Sequence, residues 1–319
     1  MAALRIVIIG GGSYMWSPKI IQDLALTNSL SGSTIVLEDT DAEAVEVLLI
    51  VGKRIIEQAG ANLKIEATTN QKQALKGADY VILTISTGGL EAMRHDLKIP
   101  EKYGIYQTVG DTVGPGGISR SLRNIPVVVD ICKDMEKLCP NAWMINYTNP
   151  MSTLTRAMAK TSKIKTIGLC HELYGVMHTL QKIFKLKDRS QMEIRIGGVN
   201  HCSWITSLKI GNNDGFTHLN KILSDPERYA DLAKDKTFDS LSDRNLVKFE
   251  LFKIFGCLPA ASDRHTCEFF PFFLSKEAGY GKKYGVKLTT IEERYHWLTF
   301  HKKLAKDIGS GKAPIDKSK

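Results

Sequence analysis

The sequence predicts an α/β protein, a doubly wound parallel sheet followed by an α+β domain. Three observations carry this reading. Strand-like and helix-like segments alternate as far as residue 170, and the strands are continuous apolar runs, as strands covered on both faces are. The first strand ends in Gly10-Gly11-Gly12-Ser13, directly before a helical pattern. After Cys170 the alternation stops, and two strand-like runs stand side by side, separated by Asn200-His201.

Taken in order, residues 4–9 are the first strand, and Pro18 opens a helical pattern through residue 30, in keeping with Pro in a first turn. Residues 34–37 form a second strand that runs into Glu38-Asp39. A helix follows over 42–59, a short strand over 64–68, and a fourth strand over 80–85 closed by Ser86-Thr87-Gly88-Gly89. Then come a helix over 119–138, a strand over 143–147, a helix over 151–160 and a strand over 165–169. In the second part, 172–184 reads as a helix, 192–199 and 202–210 as paired strands, and 218–234, 242–255 and 289–307 as helices. One soft boundary near 170 separates a dinucleotide-binding domain, 1–170, from a substrate and metal domain, 171–319. The polar tail 309–319 is expected to be disordered.

The chain has 319 residues, enough for one large or two ordinary domains. A hydrophobic content of 43% and a charged content of 24% fit a globular enzyme. The net charge of +9 is scattered, with modest clusters at 182–189 and 302–319, so a nucleic-acid partner is not expected; the charge suits an anionic small substrate. Six Cys without regular spacing, and no signal peptide, point to reduced thiols and a cytoplasmic location. No apolar run is long enough for a membrane span.

The Gly10–Ser13 turn lies between a strand and a helix, where backbone N–H groups hold a pyrophosphate. Asp39, at the end of the second strand, is placed for the hydroxyls of an adenosine ribose, which favours NAD over NADP. Thr87 and Gly88, closing the fourth strand, complete the expected cofactor set. A second Gly-rich loop, 110–117, precedes a helix and reads either as an anion-binding loop or as a flexible surface loop. Cys170, after a strand, and His201, between two strands, offer a soft thiolate and an imidazole. They make half of a divalent metal site whose other positions are left to substrate or water. Each residue also has a plainer reading: a lone Cys at a strand end is usually core, and His201 could be a satisfied histidine. Asp263-Arg264 could be an ion pair, and Arg120 and Arg123 a solvated helix face.

The ordered set is more specific. The Gly10–Ser13 turn, the loop from Gly110 to Arg120 with Arg123, Asn146-Tyr147-Thr148-Asn149-Pro150-Met151, the Gly168–Glu172 segment and Asn200-His201 resemble glycoside hydrolase family 4. Asp263-Arg264-His265 with Glu268-Phe269-Phe270-Pro271 is similar to its α-galacturonidase and α-galactosidase-like branch. This family is an NAD-dependent exception to two-carboxylate glycoside hydrolysis. The resemblance implies a Rossmann-like nucleotide domain, NAD and Mn²⁺ as cofactors and a small carbohydrate as substrate, with an α-galacturonide the first choice. It also implies transient oxidation of sugar C3, removal of the C2 proton, elimination at C1, addition of water and return of the hydride. Cys170 and His201 match the metal ligands, and Asn149 matches a residue that binds sugar hydroxyls. The catalytic candidates are Asp263, placed where the family often has a Tyr base, with His171 and Asp111. His171, following the ligand Cys, disfavours a 6-phosphosugar. Arg120, Arg123 and Arg264 are candidates for a substrate carboxylate. The chain ends sooner after Pro271 than the family's chains do, so a C-terminally short member is expected, and a homo-oligomer.

Two other readings share the nucleotide domain. A lactate- or malate-like 2-hydroxy acid dehydrogenase gives Cys170 no role. A truncated, non-catalytic dinucleotide-binding protein would need no metal.

Overall fold

The first strand, β1 (Arg5–Ile9), buries Ile6, Val7, Ile8 and Ile9 in succession, so both of its faces must be covered. The computed structural model describes residues 3–234 and 244–315. After β1 come α1 (Ser17–Ala25), β2 (Thr34–Glu38), α2 (Ala42–Gln58), β3 (Lys64–Thr68), α3 (Gln71–Leu75) and β4 (Tyr80–Leu83). Then follow α4 (Gly89–Glu101), α5 (Gly114–Leu138), β5 (Trp143–Asn146), α6 (Met151–Thr161) and β6 (Lys165–Gly168). The six strands pair in parallel in the order β3-β2-β1-β4-β5-β6. This is the Rossmann order, with the winding reversing between β1 and β4; ligands of such sheets bind outside the carboxyl ends at that point. One face is filled by Val7, Val81, Leu83, Met144 and the buried sides of α5 and α6, the other by Ile8, Ile35, Leu37 and α2.

The second part continues with α7 (Glu172–Ile183), β7 (Met192–Val199), β8 (Cys202–Ile210), β9 (Asn213–Asp214), α8 (Gly215–Ser224), α9 (Pro226–Lys234), α10 (Leu246–Phe255), β10 (Leu258–Pro259), α11 (Asp263–Phe269) and α12 (Ile291–Gly309). β7 and β8 are antiparallel with Val199 opposite Cys202, which leaves Asn200 and His201 as the tight turn between them. β10 pairs with the other edge of β8.

Several expected bounds shift for local reasons. The helix expected over 218–234 is two helices, because Pro226 cannot continue α8 and Asp225 before it takes an extended conformation. α5 begins at Gly114, inside the Gly-rich loop rather than after it. Of the helix expected over 242–255, residues 242–243 lie outside the described residues. The short helices α3 and α11 and the Gly-led α4 have too little apolar repeat to be read from pattern alone.

Two compact units result. The first comprises Met1–Ala92, Arg120–Leu169 and Thr290–Lys319; the second comprises Met93–Ser119 and Cys170–Thr289. These units differ from a division at a single point near 170 in where residues 93–119 and 290–319 fall. Residues 290–319 return to the first unit because α12 packs on α2: Lys302 and Lys306 donate to Glu43 at 3.0 and 2.8 Å, and Ala305 is buried in the core that holds Val45, Leu48 and Ile55. The disorder expected of the tail does not extend to residues 310–315. Ala313 N–H donates to Asp307 O at 3.0 Å and Ile315 packs on the same core, while 316–319 lie outside the described residues. All six cysteines are free thiols. No helix among the described residues is long and apolar enough to cross a membrane.

Candidate active site

In the first unit the glycine turn is held by its own backbone. Gly10 and Gly11 N–H both donate to Glu38 O, at 2.9 and 2.7 Å, and Gly12 N–H donates to Asp39 Oδ2 at 2.9 Å. Gly10 has φ +88°, and a Cβ there would stand 2.1 Å from Thr84 O. A Cβ on Gly11 would meet Glu38 N at 2.9 Å, and one on Gly12 would meet the Asp39 carboxylate at 2.7 Å. Glycine alone fits at all three, and the turn leads into α1, whose first turn has no acidic residue and no side-chain cap. That is the form of a pyrophosphate cradle.

Asp39 also accepts from Asp41 N–H at 3.1 Å. Beside it Glu38 is buried, and burial, with the Asp39 charge next in size, pushes its carboxyl up to about 7. At the end of β4, Thr87 N–H donates to the buried Asn124 Oδ1 at 3.3 Å, and Arg123 Nε donates to Thr87 O at 3.4 Å. Arg120 Nε donates to Asn149 O at 3.1 Å, and its Nη2 donates to Ser86 Oγ at 3.2 Å. The expected set Gly10, Gly11, Gly12, Ser13, Asp39, Thr87, Gly88, Asn149, Arg120 and Arg123 thus gathers at the carboxyl edge of the sheet. Asn124, which fixes Thr87, was not expected; one helical turn beyond Arg120 it reads as an ordinary helix residue.

In the second unit Cys170 and His201 meet. Cys170 stands two residues before α7. His201 occupies the β7–β8 turn with φ +62°, a left-handed conformation unusual for a side chain of this size, and is buried. Its Nε2 lies 3.5 Å from Cys170 Sγ, and its Nδ1 lies 2.7 Å from Thr112 Oγ1. Two ligands at about 2.1 and 2.3 Å from one ion, about 105° apart, are themselves roughly 3.5 Å apart. The donor set therefore fits a divalent ion. Burial, and next the charge of His265, push His201 down to about 3, so it is the neutral imidazole that a metal requires. Burial pushes the Cys170 thiol up, so a thiolate here depends on a cation.

Asp111 and His265 flank the pair: one ligand atom from each of Asp111, His201 and His265 falls within 4.8 Å of the others. The two imidazoles are stacked, with centroids 3.6 Å apart and planes 22° apart. Nitrogen lone pairs lie in the ring planes, so those of stacked rings run side by side rather than toward one ion. Two stacked imidazoles therefore suit one ion poorly, while Cys170 Sγ and Asp111 both stand near His201 as donors. His265 Nδ1 is buried with no hydrogen-bond partner among the described residues, 3.9 Å from Asp111 Oδ1.

One expected role is corrected, and two others are placed. Asp263 is fully buried and accepts from Val247 N–H, Lys248 N–H and Lys248 Nζ at 3.0, 3.0 and 2.9 Å. A carboxylate so engaged fixes α11 to α10 and is not a free base. Arg264 Nη2 donates to Thr108 O at 2.8 Å and Thr289 Oγ1 at 2.6 Å, so in this structure it braces the loop that carries Thr108. The His171 side chain is 70% exposed at the N-cap of α7, with its Nε2 3.8 Å from Glu172 Oε1, and its charge acts on His201. The Gly-rich loop is not an open anion site: Val109 and Gly110 N–H donate to Glu268 Oε1 at 2.6 and 2.8 Å. Thr112, His265 and Glu268 were not assigned site roles from the sequence, although His265 and Glu268 lie in a motif singled out there.

Comparison with known proteins bears on the family and the fold. The model of the family 4 glycosyl hydrolases matches residues 5–186, and that of their C-terminal domain matches 196–309. An α-galacturonidase of Thermoanaerobacter italicus is 39% identical over 280 residues, 85% of this chain and 60% of that protein. The chain thus spans about 60% of the length of such relatives. A solved structure from Bacillus subtilis, described as a putative glucosidase, lplD, aligns over 100% of this chain and 74% of its own, with a TM-score of 0.90 and 32% identity. A 6-phospho-α-glucosidase from gut microorganisms, solved with NAD and Mn²⁺, shares the fold at a TM-score of 0.77 and 20% identity over 100% of this chain and 71% of its own.

Proposed function

The chain belongs to glycoside hydrolase family 4, and from that premise we propose that it cleaves α-glycosides, with α-galacturonides as substrates, using NAD⁺ and a divalent ion such as Mn²⁺. The observation that carries this reading is the 3.5 Å approach of Cys170 Sγ to His201 Nε2, which a simple hydroxy acid dehydrogenase has no use for. When bound, NAD⁺ supplies a hydride acceptor and the ion a Lewis acid for sugar oxygens.

The chain's own residues do the rest. Gly10, Gly11 and Gly12, with no side chains in the way, give the pyrophosphate close approach to the N-terminus of α1, and Asp39 takes the ribose hydroxyls. Cys170 and His201 hold the ion, with the Thr112 hydroxyl fixing the ring of His201. Asp111 and His265 pass protons next to that pair, in place of Asp263. Asn149 binds sugar hydroxyls, and Arg120 and Arg123 draw the uronate carboxylate to the sheet edge.

The test is an assay of 4-nitrophenyl α-galacturonide and α-galactoside with added NAD⁺ and Mn²⁺. Turnover without accumulation of NADH, faster on the galacturonide, and deuterium at C2 of sugar released in D₂O are expected. Net NADH formation would move the assignment to a dehydrogenase, and preference for the neutral sugar would move it to an α-galactosidase.

A further inference from the structure

Within the second unit, one carboxylate reaches the loop that carries Asp111 and Thr112. Glu268 Oε1 accepts from Val109 N–H at 2.6 Å, Gly110 N–H at 2.8 Å and Thr108 Oγ1 at 3.1 Å. Its Oε2 lies buried with no hydrogen-bond partner among the described residues. A carboxylate satisfied on one oxygen and bare on the other is a poor device for stability, since a buried acceptor left unmade costs more than a made one gains. Such a group calls for another explanation.

The geometry supplies it. Consecutive N–H groups pointing at one oxygen form the concavity that elsewhere binds a free anion. Here the protein fills it from α11, the helix that also carries His265. Immediately after the clamped N–H groups come Asp111, 3.9 Å from His265, and Thr112, whose hydroxyl meets His201 Nδ1 at 2.7 Å. Thr108 is fixed from a second side, since its carbonyl accepts from Arg264 Nη2 and from Thr289 N–H at 3.1 Å. The loop is thus pinned immediately before the two residues that face the metal pair.

We propose that Glu268 is a positioning residue: its carboxylate, seated in the Thr108–Gly110 turn as an internal anion, sets Thr112 against His201 and Asp111 against His265. This rests on the metal reading of Cys170 and His201, but it assigns a role to a side chain that touches neither ion nor sugar. Because the loop needs an acceptor rather than a charge, Gln at this position keeps the clamp and Ala removes it.

The experiment compares wild type, Glu268→Ala and Glu268→Gln by calorimetric titration with MnCl₂ and, separately, with NAD⁺. Glu268→Ala is expected to weaken Mn²⁺ binding by about 10–100-fold, as loss of an outer partner of a ligand does. Glu268→Gln should stay within about threefold of wild type, because its amide oxygen still accepts. NAD⁺ affinity should change in neither. Wild-type Mn²⁺ affinity in Glu268→Ala overturns the proposal, as does a Gln variant that falls as far as the Ala variant. Should Glu268→Ala fail to fold, hydrogen exchange in wild type and Glu268→Gln decides. Protection of the Val109 and Gly110 amides in both is expected, and exchange at the rate of an open loop in either overturns the proposal. A wild type that binds no Mn²⁺ sinks the metal reading instead, and leaves the exchange measurement to judge the clamp.

Discussion

The two ligand-holding regions differ in which part of the chain does the holding. In the first unit it is backbone: Gly10, Gly11 and Gly12 have no room for a Cβ, their N–H groups fix the turn to Glu38 O and Asp39, and the bare turn gives close approach to the N-terminus of α1. In the second unit it is side chains: Cys170 before α7, His201 in a hairpin turn, Thr112 in a loop and Glu268 on α11 are drawn from four separate stretches. A backbone site tolerates changes of chemistry nearby but not of volume. A side-chain site tolerates changes of volume but not of donor atom. Substitutions in the two units should therefore fail in opposite ways.

The largest effect is expected from Cys170→Ser, which puts a neutral hydroxyl in place of a donor that binds as an anionic thiolate. Mn²⁺ affinity should fall by more than about 100-fold, beyond the loss of an outer partner, with NAD⁺ affinity unchanged. A Ser variant that titrates with Mn²⁺ as the wild type does would remove Cys170 from the site. Gly10→Ala is the converse. The strained φ of +88° and the clash with Thr84 O should destabilise the first unit by about 3 kcal/mol in urea unfolding and weaken NAD⁺, leaving Mn²⁺ untouched. Thr112→Val removes the partner of His201 Nδ1 without opening a cavity. About tenfold weaker Mn²⁺ at equal NAD⁺ affinity is expected from calorimetry. If both ligands weaken together, the division of labour between backbone and side chain is wrong.

The smallest effect sharpens the nucleotide side. Glu38 is pushed up to about 7 in the folded chain, from 4.5 in the unfolded one. Below 4.5 both states hold the proton; between 4.5 and 7 only the folded state does, so stability falls as pH rises through this window. Glu38→Gln, which cannot ionise, should flatten that fall by on the order of 1 kcal/mol between pH 5 and 8, read as the change in urea midpoint. A variant with the same pH slope as wild type would show that Glu38 does not hold a proton in the fold.

The same contrast explains what could be read in the sequence. The glycine turn and Asp39 were legible because a contiguous strand-turn-helix states both the local geometry and the ligand chemistry, and the parallel, doubly covered sheet followed from buried apolar runs alternating with helices. Cys170 and His201 were legible as soft donors without room for a closed four-ligand set nearby. Asp263 was misread because nothing local reveals Lys248: an acid at a helix start looks the same whether it faces a ligand or an ion-pair partner 15 residues earlier. Glu268 and Thr112 stayed unassigned because their roles exist only across a separation of about 160 and 90 residues, respectively.

The return of α12 to α2 has a consequence for the order of assembly. Lys302 and Lys306 pair with Glu43 across separations of 259 and 263 residues, and Ala305 closes the apolar face of α2. A chain emerging from the ribosome therefore carries the nucleotide half with that face uncovered until α12 has been made. Contacts of such span slow folding and leave an apolar surface waiting for its cover. A fragment cut at residue 170 would inherit the same uncovered face permanently, so it should aggregate where the full chain does not.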